Sequence, residues 1–386
     1  MSRQIYLDNS ATTRPCAQAV EAMNRSMQEI YFNPSALYGP AMHAEQELAG
    51  ARQAIAKTLD ASEKNVIFTS GGTESDNLAI WGCLQGQRGP GEVLYTAAEH
   101  AAVQNACLEA EGRFGVTARA IPLTAEGSVE LDALGSMLGP DTRLICVMQV
   151  CNETGVIMPL DAVCRLRDTL APKAAIHVDG VQGYLRTPFS FKAYNVQSYA
   201  LSAHKIHGPK GVGALVLRDG YRIKPQIAGG GQQNGLRSGT ENTCGIAGLR
   251  AAVESYPADG LARMKAMKAL LVELLERELP ETTVLGLPVN DPMSAGHILN
   301  VAFPPVRAET LLHALEGDGI YVGTGSACSS KKGKRSVVLT AMRCAPAAMD
   351  GAIRISLCPE NTEDEMRYAA QKIIEKVRLL RRFTRR

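Results

Sequence analysis

Short apolar runs alternate with longer helix-like segments between about residue 60 and residue 220. The apolar runs predict buried strands at Val66–Phe68, Val93–Tyr95, Leu144–Val150, Ala175–Val178, Ser198–Leu201 and Val212–Leu217. Between them lie stretches with helical periodicity, such as Leu131–Leu138 and Leu160–Leu170. This alternation is typical of an α/β domain with a mostly parallel sheet. Because such sheets bind ligands beyond the carboxyl ends of their strands, we expect the functional residues there.

The pattern changes near residue 257. Residues Gly260–Leu279 predict one long amphipathic helix, since apolar side chains recur at helical spacing. Shorter strands and helices are predicted after it, at His297–Phe303, Glu309–Glu316, Ile353–Leu357 and Glu363–Leu380. We therefore expect a large α/β domain over residues 15–257 and a smaller α+β domain over residues 258–386.

Composition is that of an ordinary soluble globular protein. The chain has 386 residues, of which 45% are hydrophobic and 21% charged, and it is long enough for two cores. Its formal net charge of +2 gives no reason to expect direct nucleic-acid binding. No apolar run approaches the ~20 residues of a membrane span, and the first residues lack the apolar stretch of a signal peptide. A cytoplasmic protein without membrane contact is the expectation.

The cysteines are numerous but irregularly spaced. There are 10 of them and no C-x-x-C pair, so the spacing predicts neither a zinc site nor a disulfide framework, and no metal is expected. Most are interpreted as buried thiols that pack as small hydrophobic groups, as for Cys146 in a strand and Cys107 and Cys164 in helices.

One segment combines a lysine with a hydroxyl, an imidazole and glycine-rich backbone. It is Ser202-Ala-His-Lys-Ile-His-Gly-Pro-Lys-Gly211. Earlier in the chain, the short apolar run that begins at Ala175 ends in Asp179. An enzyme that uses pyridoxal phosphate (PLP) needs a lysine for the aldehyde carbon and a carboxylate for the pyridinium nitrogen. Lys205 and Asp179 fit these two tasks, and Ser202 and His204 are placed to hold the phosphate.

A second anion-binding element is predicted at Gly71-Gly-Thr-Glu74. This turn follows a strand and precedes the helical run Ser75–Gln85, so backbone N–H groups and the positive end of the helix dipole would point at an anion. It lacks the lysine of a nucleotide-binding P-loop. We expect Gly72 and Thr73 to contribute to the same phosphate site.

A cysteine among small residues narrows the chemistry further. Cys328 lies in Gly323-Thr-Gly-Ser-Ala-Cys-Ser-Ser330. With the lysine and aspartate segments it resembles the cysteine desulfurase family, a branch of the class V aminotransferases among the fold-type I PLP enzymes. The resemblance runs nearly end to end and includes residues 5–13, 68–77, 152–155 and 237–242.

The resemblance implies a role for each candidate residue near the cofactor. Lys205 would form the Schiff base and later move a proton from the substrate α-carbon, and Asp179 would pair with the pyridinium nitrogen. Gln182 would donate to the phenolic oxygen, and His100 would stack on the ring and shuttle protons. The substrate-binding candidates are Asn152, near the ring, and Arg354, whose guanidinium suits an amino-acid carboxylate.

Cys328 is the implied sulfur acceptor. Its thiolate would attack the substrate sulfur, leaving a persulfide on the enzyme and releasing L-alanine. In the family, residues 1–14 join the small domain, which carries the cysteine loop at about 321–336. A basic run follows Cys328 (Lys331, Lys332, Lys334 and Arg335) and would lower the thiol pKa or attract an acidic partner, unless it is only a solvated loop.

The resemblance also implies partners. Thr240 would reach the phosphate in the other subunit, which makes the protein a homodimer. A protein acceptor would take the sulfur for iron–sulfur cluster assembly or tRNA thiolation. A selenocysteine lyase is the alternative, because it has no strict need for Cys328. A relay through Cys344 or Cys358 stays open, and Cys344 and Cys151 are departures from the usual family sequence.

Overall fold

The structure is a computed structural model that describes residues 3–87, 89–324 and 335–384. Its strands are β1 (Ile5–Tyr6), β2 (Val66–Thr69), β3 (Glu92–Thr96), β4 (Thr117–Ile121), β5 (Thr142–Met148), β6 (Ala175–Asp179), β7 (Ser198–Ser202), β8 (Gly213–Leu217), β9 (Thr283–Val284), β10 (Ile298–Ala302), β11 (Ile320–Tyr321) and β12 (Ala352–Ser356). Its helices are α1 (Ala17–Glu29), α2 (Gly39–Leu59), α3 (Gly72–Gln85), α4 (Ala101–Phe114), α5 (Leu131–Met137), α6 (Leu160–Leu170), α7 (Thr243–Ser255), α8 (Gly260–Glu278), α9 (Ala308–Glu316), α10 (Val337–Ala341), α11 (Pro346–Asp350) and α12 (Glu363–Thr384).

A seven-stranded sheet in the order β2-β8-β7-β6-β5-β3-β4 forms the centre of the molecule. Only β8 runs opposite to the others, since it pairs antiparallel with both β2 and β7. The remaining pairs are parallel. The predicted α/β fold with a mostly parallel sheet is confirmed.

Both faces of this sheet are covered. Along β5, Ile145 and Val147 contribute to one hydrophobic core, whereas Leu144 and Cys146 contribute to another on the opposite face. Adjacent residues of a strand point to opposite faces, so a strand covered on both sides is apolar at almost every position. This is why β5 to β8 read as short continuous apolar runs in the sequence.

The C-terminal part of the chain builds a separate core. An antiparallel sheet in the order β12-β10-β9 and the parallel pair β1-β11 frame it. Ile5 and Leu7 pack there with Leu275 and Ile355. This grouping supports the division into a large domain and a small one that includes residues 1–14, which stays a prediction. One segment departs from it, because Val338 of α10 packs in the larger core.

Most predicted elements agree with the structure in type and differ by a few residues at their ends. Strand β5 begins two residues earlier than expected and ends at Met148, beyond which Val150 forms only an isolated bridge. Across the described ranges, no helix is long and apolar enough to cross a membrane. The cytoplasmic location stays a prediction.

Candidate active site

A cavity of about 350 Å³ lies at the carboxyl edge of the large sheet. Strands β2, β3, β5, β6 and β7 all end beside it, as expected for an open α/β sheet. Most of the residues selected from the sequence line it together: Gly72, Thr73, His100, Asn152, Asp179, Gln182, Ser202, His204, Lys205 and Arg354. Thr240 is an exposed residue that is not part of this lining, and Cys328 lies outside the described residues.

Lys205 ends a single helical turn that directly follows β7. Its Nζ donates hydrogen bonds to the backbone carbonyls of Ser10 and, at 2.8 Å, Ala11. Burial lowers the pKa of Lys205 to about 7, and the positive charges of Arg186 and Arg354 act in the same direction. An amine with this pKa is in part neutral near pH 7, which is the form that attacks an aldehyde or accepts a proton.

Asp179 is the last residue of β6 and is buried. Its Oδ1 accepts a hydrogen bond from the N–H of Val181 at 2.9 Å, which fixes the carboxyl group. Burial raises the pKa of Asp179, while the nearby His100 and Lys205 favour its charged form. A buried carboxylate in this position can stabilise a proton on a heteroaromatic nitrogen.

Two more carboxyl groups, from Asp76 and Glu99, line the same cavity. Asp76 Oδ1 lies 3.1 Å from Nε2 of His177, a buried residue of β6 whose Nδ1 lies 2.9 Å from Ser198 Oγ. Burial raises the pKa of Asp76, and the negative charge of Asp179 adds to this shift. Burial also lowers the pKa of His177 to about 3, so this imidazole is neutral.

The carboxyl group of Glu99 accepts two hydrogen bonds. Its Oε1 accepts from the Thr96 hydroxyl and from the N–H of Met148, each at 2.6 Å. Burial raises the pKa of Glu99 to about 8. The Glu99 carboxyl group is therefore mostly protonated at neutral pH. Of the three carboxyl groups Asp76, Glu99 and Asp179, the last is then the best placed to carry a negative charge.

The N-terminus of α3 forms one wall of the cavity. A Cβ atom added to Gly72 would lie 2.5 Å from Cγ2 of Val181, so only glycine fits there without displacing that side chain. Ser202 lies next to this helix end, since a Cβ atom added to Gly71 would be 3.7 Å from its Oγ, and His204 also lines the cavity. His204 Nδ1 lies 3.1 Å from Thr12 Oγ1, and burial lowers its pKa to about 4. Backbone N–H groups, a hydroxyl and a neutral imidazole together make a suitable phosphate site.

Arg354 on β12 also lines the cavity. Its side chain is only 4% exposed, and its guanidinium donates to the Asn152 carbonyl at 3.1 Å and to Asp8 Oδ1 at 2.8 Å. Asp8 was not selected from the sequence. It orients the guanidinium, which a substrate carboxylate could then approach from the cavity.

Gln182 and His100 have defined orientations. The Gln182 amide nitrogen donates to the Ser10 carbonyl at 2.9 Å, and no hydrogen-bond partner of its Oε1 is found within the described ranges. His100 caps α4, since its Nδ1 accepts from the N–H of Ala102 at 3.1 Å. The second ring nitrogen of His100 is thus the one available for proton transfer. Burial lowers the pKa of His100, so the ring is mainly neutral at pH 7.

Sequence reasoning missed the residues that hold the candidates in place. Ser10 and Ala11 act through backbone carbonyls, which no side-chain pattern reveals, although they lie inside the motif at residues 5–13. Glu99 was adjacent to a selected histidine, which was an available signal. Asp76 and His177 carried no signal, because their pairing depends on α3 packing against β6.

These residues fit PLP. The cavity offers a lysine with a lowered pKa, a buried carboxylate and a phosphate-type site at a helix end. The buried Oε1 of Gln182 and Oγ of Ser10 have no protein partner in the described part of the chain, so polar groups remain for a bound molecule.

Comparisons with known proteins agree with this geometry. The sequence profile of the aminotransferase class-V family matches residues 5–368. A cysteine desulfurase from Cereibacter sphaeroides is 35% identical over 98% of both chains. A solved NifS-like protein superimposes with a TM-score of 0.90 at 34% identity, covering 98% of this chain and 100% of its own. SspA, solved in complex with cysteine, gives a TM-score of 0.82 at 29% identity, over 93% of this chain and all of SspA.

Proposed function

The chain belongs to the aminotransferase class-V family and within it to the cysteine desulfurases, and on that premise we propose that it converts L-cysteine to L-alanine and passes the sulfur to an acceptor through Cys328. Enzymes of this family depend on PLP, and this chain does so too. The observation that carries the proposal is that Lys205, with its lowered pKa, shares one buried cavity with Asp179 and Arg354.

The cofactor supplies an electron sink for the negative charge that develops on the substrate α-carbon. We assign its phosphate to Gly72, Thr73, Ser202 and His204, and its ring nitrogen to Asp179. Its phenolic oxygen is assigned to the amide N–H of Gln182 that is not bonded to the Ser10 carbonyl. His100 would lie against the ring. Asp76 and Glu99 would complete the buried wall, held by the hydrogen bonds from His177, Thr96 and Met148.

Arg354 and Asn152 would bind the substrate. The guanidinium pairs with the α-carboxylate, and the contacts to Asp8 and to the Asn152 carbonyl keep it from rotating away. This places the α-carbon between Arg354 and the lysine, where the Lys205 amine can accept the α-proton. Burial excludes water and strengthens the charge pairing at the carboxylate.

The sulfur step involves Cys328. Its thiolate attacks the substrate sulfur, so an S–S bond forms while the bond between sulfur and the β-carbon breaks and leaves its electron pair on the carbon side. Protons taken up at carbon complete L-alanine. The balance is L-cysteine plus the Cys328 thiol giving L-alanine plus a Cys328 persulfide, with no external oxidant.

A homodimer with Thr240 in the partner's site is part of the proposal. The exposed Thr240 lies on a loop that Arg237 anchors to Glu74 at the start of α3, with a contact of 2.8 Å. Several large apolar side chains between α1 and α2 are exposed, including Leu37 and Tyr31, as at a subunit contact. A solution mass near twice the 41.3 kDa of the chain supports the dimer, and a single-chain mass contradicts it.

The acceptor is proposed to be a protein for iron–sulfur assembly or tRNA thiolation in the cytoplasm. The basic run after Cys328 supports a partner with an acidic face. A relay through the two nearby thiols has less support, because burial raises the pKa of Cys344 and raises that of Cys358 to about 12. Both would be protonated and poorly nucleophilic near neutral pH.

The function is tested by measuring alanine and sulfide release from L-cysteine for the native chain and for Cys328→Ala, each loaded with PLP. We expect the variant to retain its cofactor and to lose sulfide release in the presence of a thiol reductant. Equal activity of the two proteins would remove the role of Cys328 and favour a selenocysteine lyase. Cys344→Ser, which removes a half-buried thiol elsewhere in the chain, is the control and should behave as the native chain.

A further inference from the structure

Three potential metal ligands meet on the far side of the Lys205 turn. His207, Cys358 and Glu360 place a ring nitrogen, a thiol sulfur and a carboxylate oxygen within 4.8 Å of one another. We propose that they bind one divalent transition-metal ion, for which zinc is the best match, with water in the fourth position. Such a site is independent of the cysteine chemistry proposed above.

His207 is held in the orientation that a metal ligand needs. Its Nδ1 donates to the Arg14 carbonyl at 2.9 Å, which leaves the lone pair of Nε2 directed at Glu360, 3.5 Å away. Metal-bound histidines usually donate their second N–H to a carbonyl or carboxylate in this way. The backbone has φ of 64°, a left-handed conformation, and bonds to Thr13 and Cys16 maintain it.

Cys358 and Glu360 are presented by one tight turn between β12 and α12. The N–H of Cys358 donates to Asn361 Oδ1 at 2.8 Å, and the N–H of Asn361 donates back to the Cys358 carbonyl at 3.1 Å. Asn361 is fixed in turn by Glu365 at 3.0 Å. The two ligands are therefore positioned before any ion binds, which reduces the entropy lost on binding.

The cluster has an entry path and a buried inner wall. The side chain of His207 is 11% exposed, whereas that of Glu360 is 60% exposed, so an ion can enter from the solvent side. On the inner side lies Tyr256, whose ring centre is 6.4 Å from that of His207. Its buried hydroxyl has no hydrogen-bond partner in the part of the chain that is described, and it is available to a metal-bound water.

The ligand types favour zinc over magnesium or calcium. Thiolate and imidazole are soft or borderline ligands, whereas the alkaline-earth ions select oxygen. Ligand atoms of a tetrahedral zinc site lie about 3.5 Å apart at the usual bond lengths. The His207–Glu360 separation already matches this value. Sequence spacing could not reveal such a site, because one ligand comes from the large sheet and two from the C-terminal segment.

A bound ion would link the turn that contains Lys205 to the segment after β12. His207 follows Lys205 by two residues, and Cys358 follows β12, which carries Arg354. The ion would thus connect the chain segments that bear the lysine and the substrate-binding arginine.

The test uses full-length protein loaded with PLP, in a Cys328→Ser background that removes the thiol of the loop. The protein is stripped with a chelator, titrated with Zn²⁺ against a chromophoric competitor, and examined by X-ray absorption at the zinc edge. Cys358→Ser and His207→Gln are compared with the control variants Cys344→Ser and His313→Gln, which alter a half-buried thiol and an exposed histidine elsewhere.

We expect one Zn²⁺ per chain, one sulfur ligand at about 2.3 Å, and binding weakened at least tenfold in both cluster variants but not in the controls. Three results would overturn the proposal: no stoichiometric binding, a zinc shell without sulfur, or equal affinity in Cys358→Ser. PLP content and circular dichroism would show whether a cluster variant has failed to fold. In that case the X-ray absorption spectrum of the protein with the unaltered cluster still shows whether zinc has a sulfur ligand.

Discussion

Lys205 and His207 lie two residues apart on one turn, and their side chains occupy opposite electrostatic surroundings. Around Lys205, the loss of water and then the cations Arg186 and Arg354 oppose a further positive charge and outweigh the opposing effect of Asp8 and Asp179. Around His207, the neighbours are the Glu360 carboxylate and the Cys358 thiol, both of which can coordinate a metal ion. One short segment therefore borders a site suited to anions and a neutral amine on one side, and a site suited to a metal cation on the other.

The difference shows how a single turn can serve two purposes. On the cavity side, burial keeps the Lys205 amine partly neutral near pH 7, and Arg354 and the start of α3 suit a carboxylate and a phosphate. The cluster side carries an imidazole, a thiol and a carboxylate, which are the ligand types that zinc binds. Changes on the cavity side should therefore affect turnover, and changes on the cluster side should affect metal binding.

The largest effect is expected from Lys205→Ala. Without the amine, the α-proton has no positioned acceptor, and alanine formation at saturating L-cysteine should fall by about 10²–10⁴-fold. Lys192→Ala, at an exposed lysine paired with Asp60, is the control and should leave the rate unchanged. A Lys205→Ala protein with more than about a tenth of native turnover would show that another group moves this proton.

The next effect concerns the pH dependence of stability in the cofactor-free protein. The pKa of Lys205 is about 7 in the folded chain and 10.5 for an ordinary exposed lysine, so the unfolded chain binds more protons between these pH values. Stability contributed by this group must therefore rise with pH across that window. Relative to Lys205→Met, the native chain should gain about 2 kcal/mol of unfolding free energy between pH 7 and pH 9. Denaturant titrations at the two pH values measure it, and a constant difference between the proteins would contradict the lowered pKa.

A smaller effect is expected from Arg354→Lys. The charge is kept, but the planar fork that contacts Asp8 and the Asn152 carbonyl is lost, at a cost of about 1–2 kcal/mol in carboxylate binding. The KM for L-cysteine should rise about tenfold, with a smaller change in kcat. Arg367→Lys, in an exposed pair with Glu363 on α12, is the control. An unchanged KM would remove Arg354 from substrate binding.

Local patterns predicted the central sheet well, because β5 to β8 are buried on both faces and read as continuous apolar runs. No prediction covered α1. In this helix only Ala19 and Ser26 are buried, whereas Val20 and Met27 are exposed on the single chain. The α1 sequence is nevertheless amphipathic, so helical periodicity was an available signal there.

The candidate site was predictable where chemistry resides in a side chain at the end of a strand, as for Lys205 and Asp179. It was not predictable where contacts join distant segments. Asp8 reaches Arg354 only because residues near the N-terminus pair with the C-terminal sheet, through the Asp8–Ser356 bridge. The cluster at His207 has the same origin, since its ligands meet only through the tertiary fold.

The central claim is that Lys205 is the residue that binds the cofactor covalently. Borohydride reduction of the PLP-loaded enzyme, followed by proteolysis and mass spectrometry, tests it directly, because reduction fixes the cofactor to whichever amine holds it. The account predicts a pyridoxyl group on the peptide that contains Lys205, and none in the Lys205→Ala protein. A label on a different lysine, or equal labelling of both proteins, would contradict it.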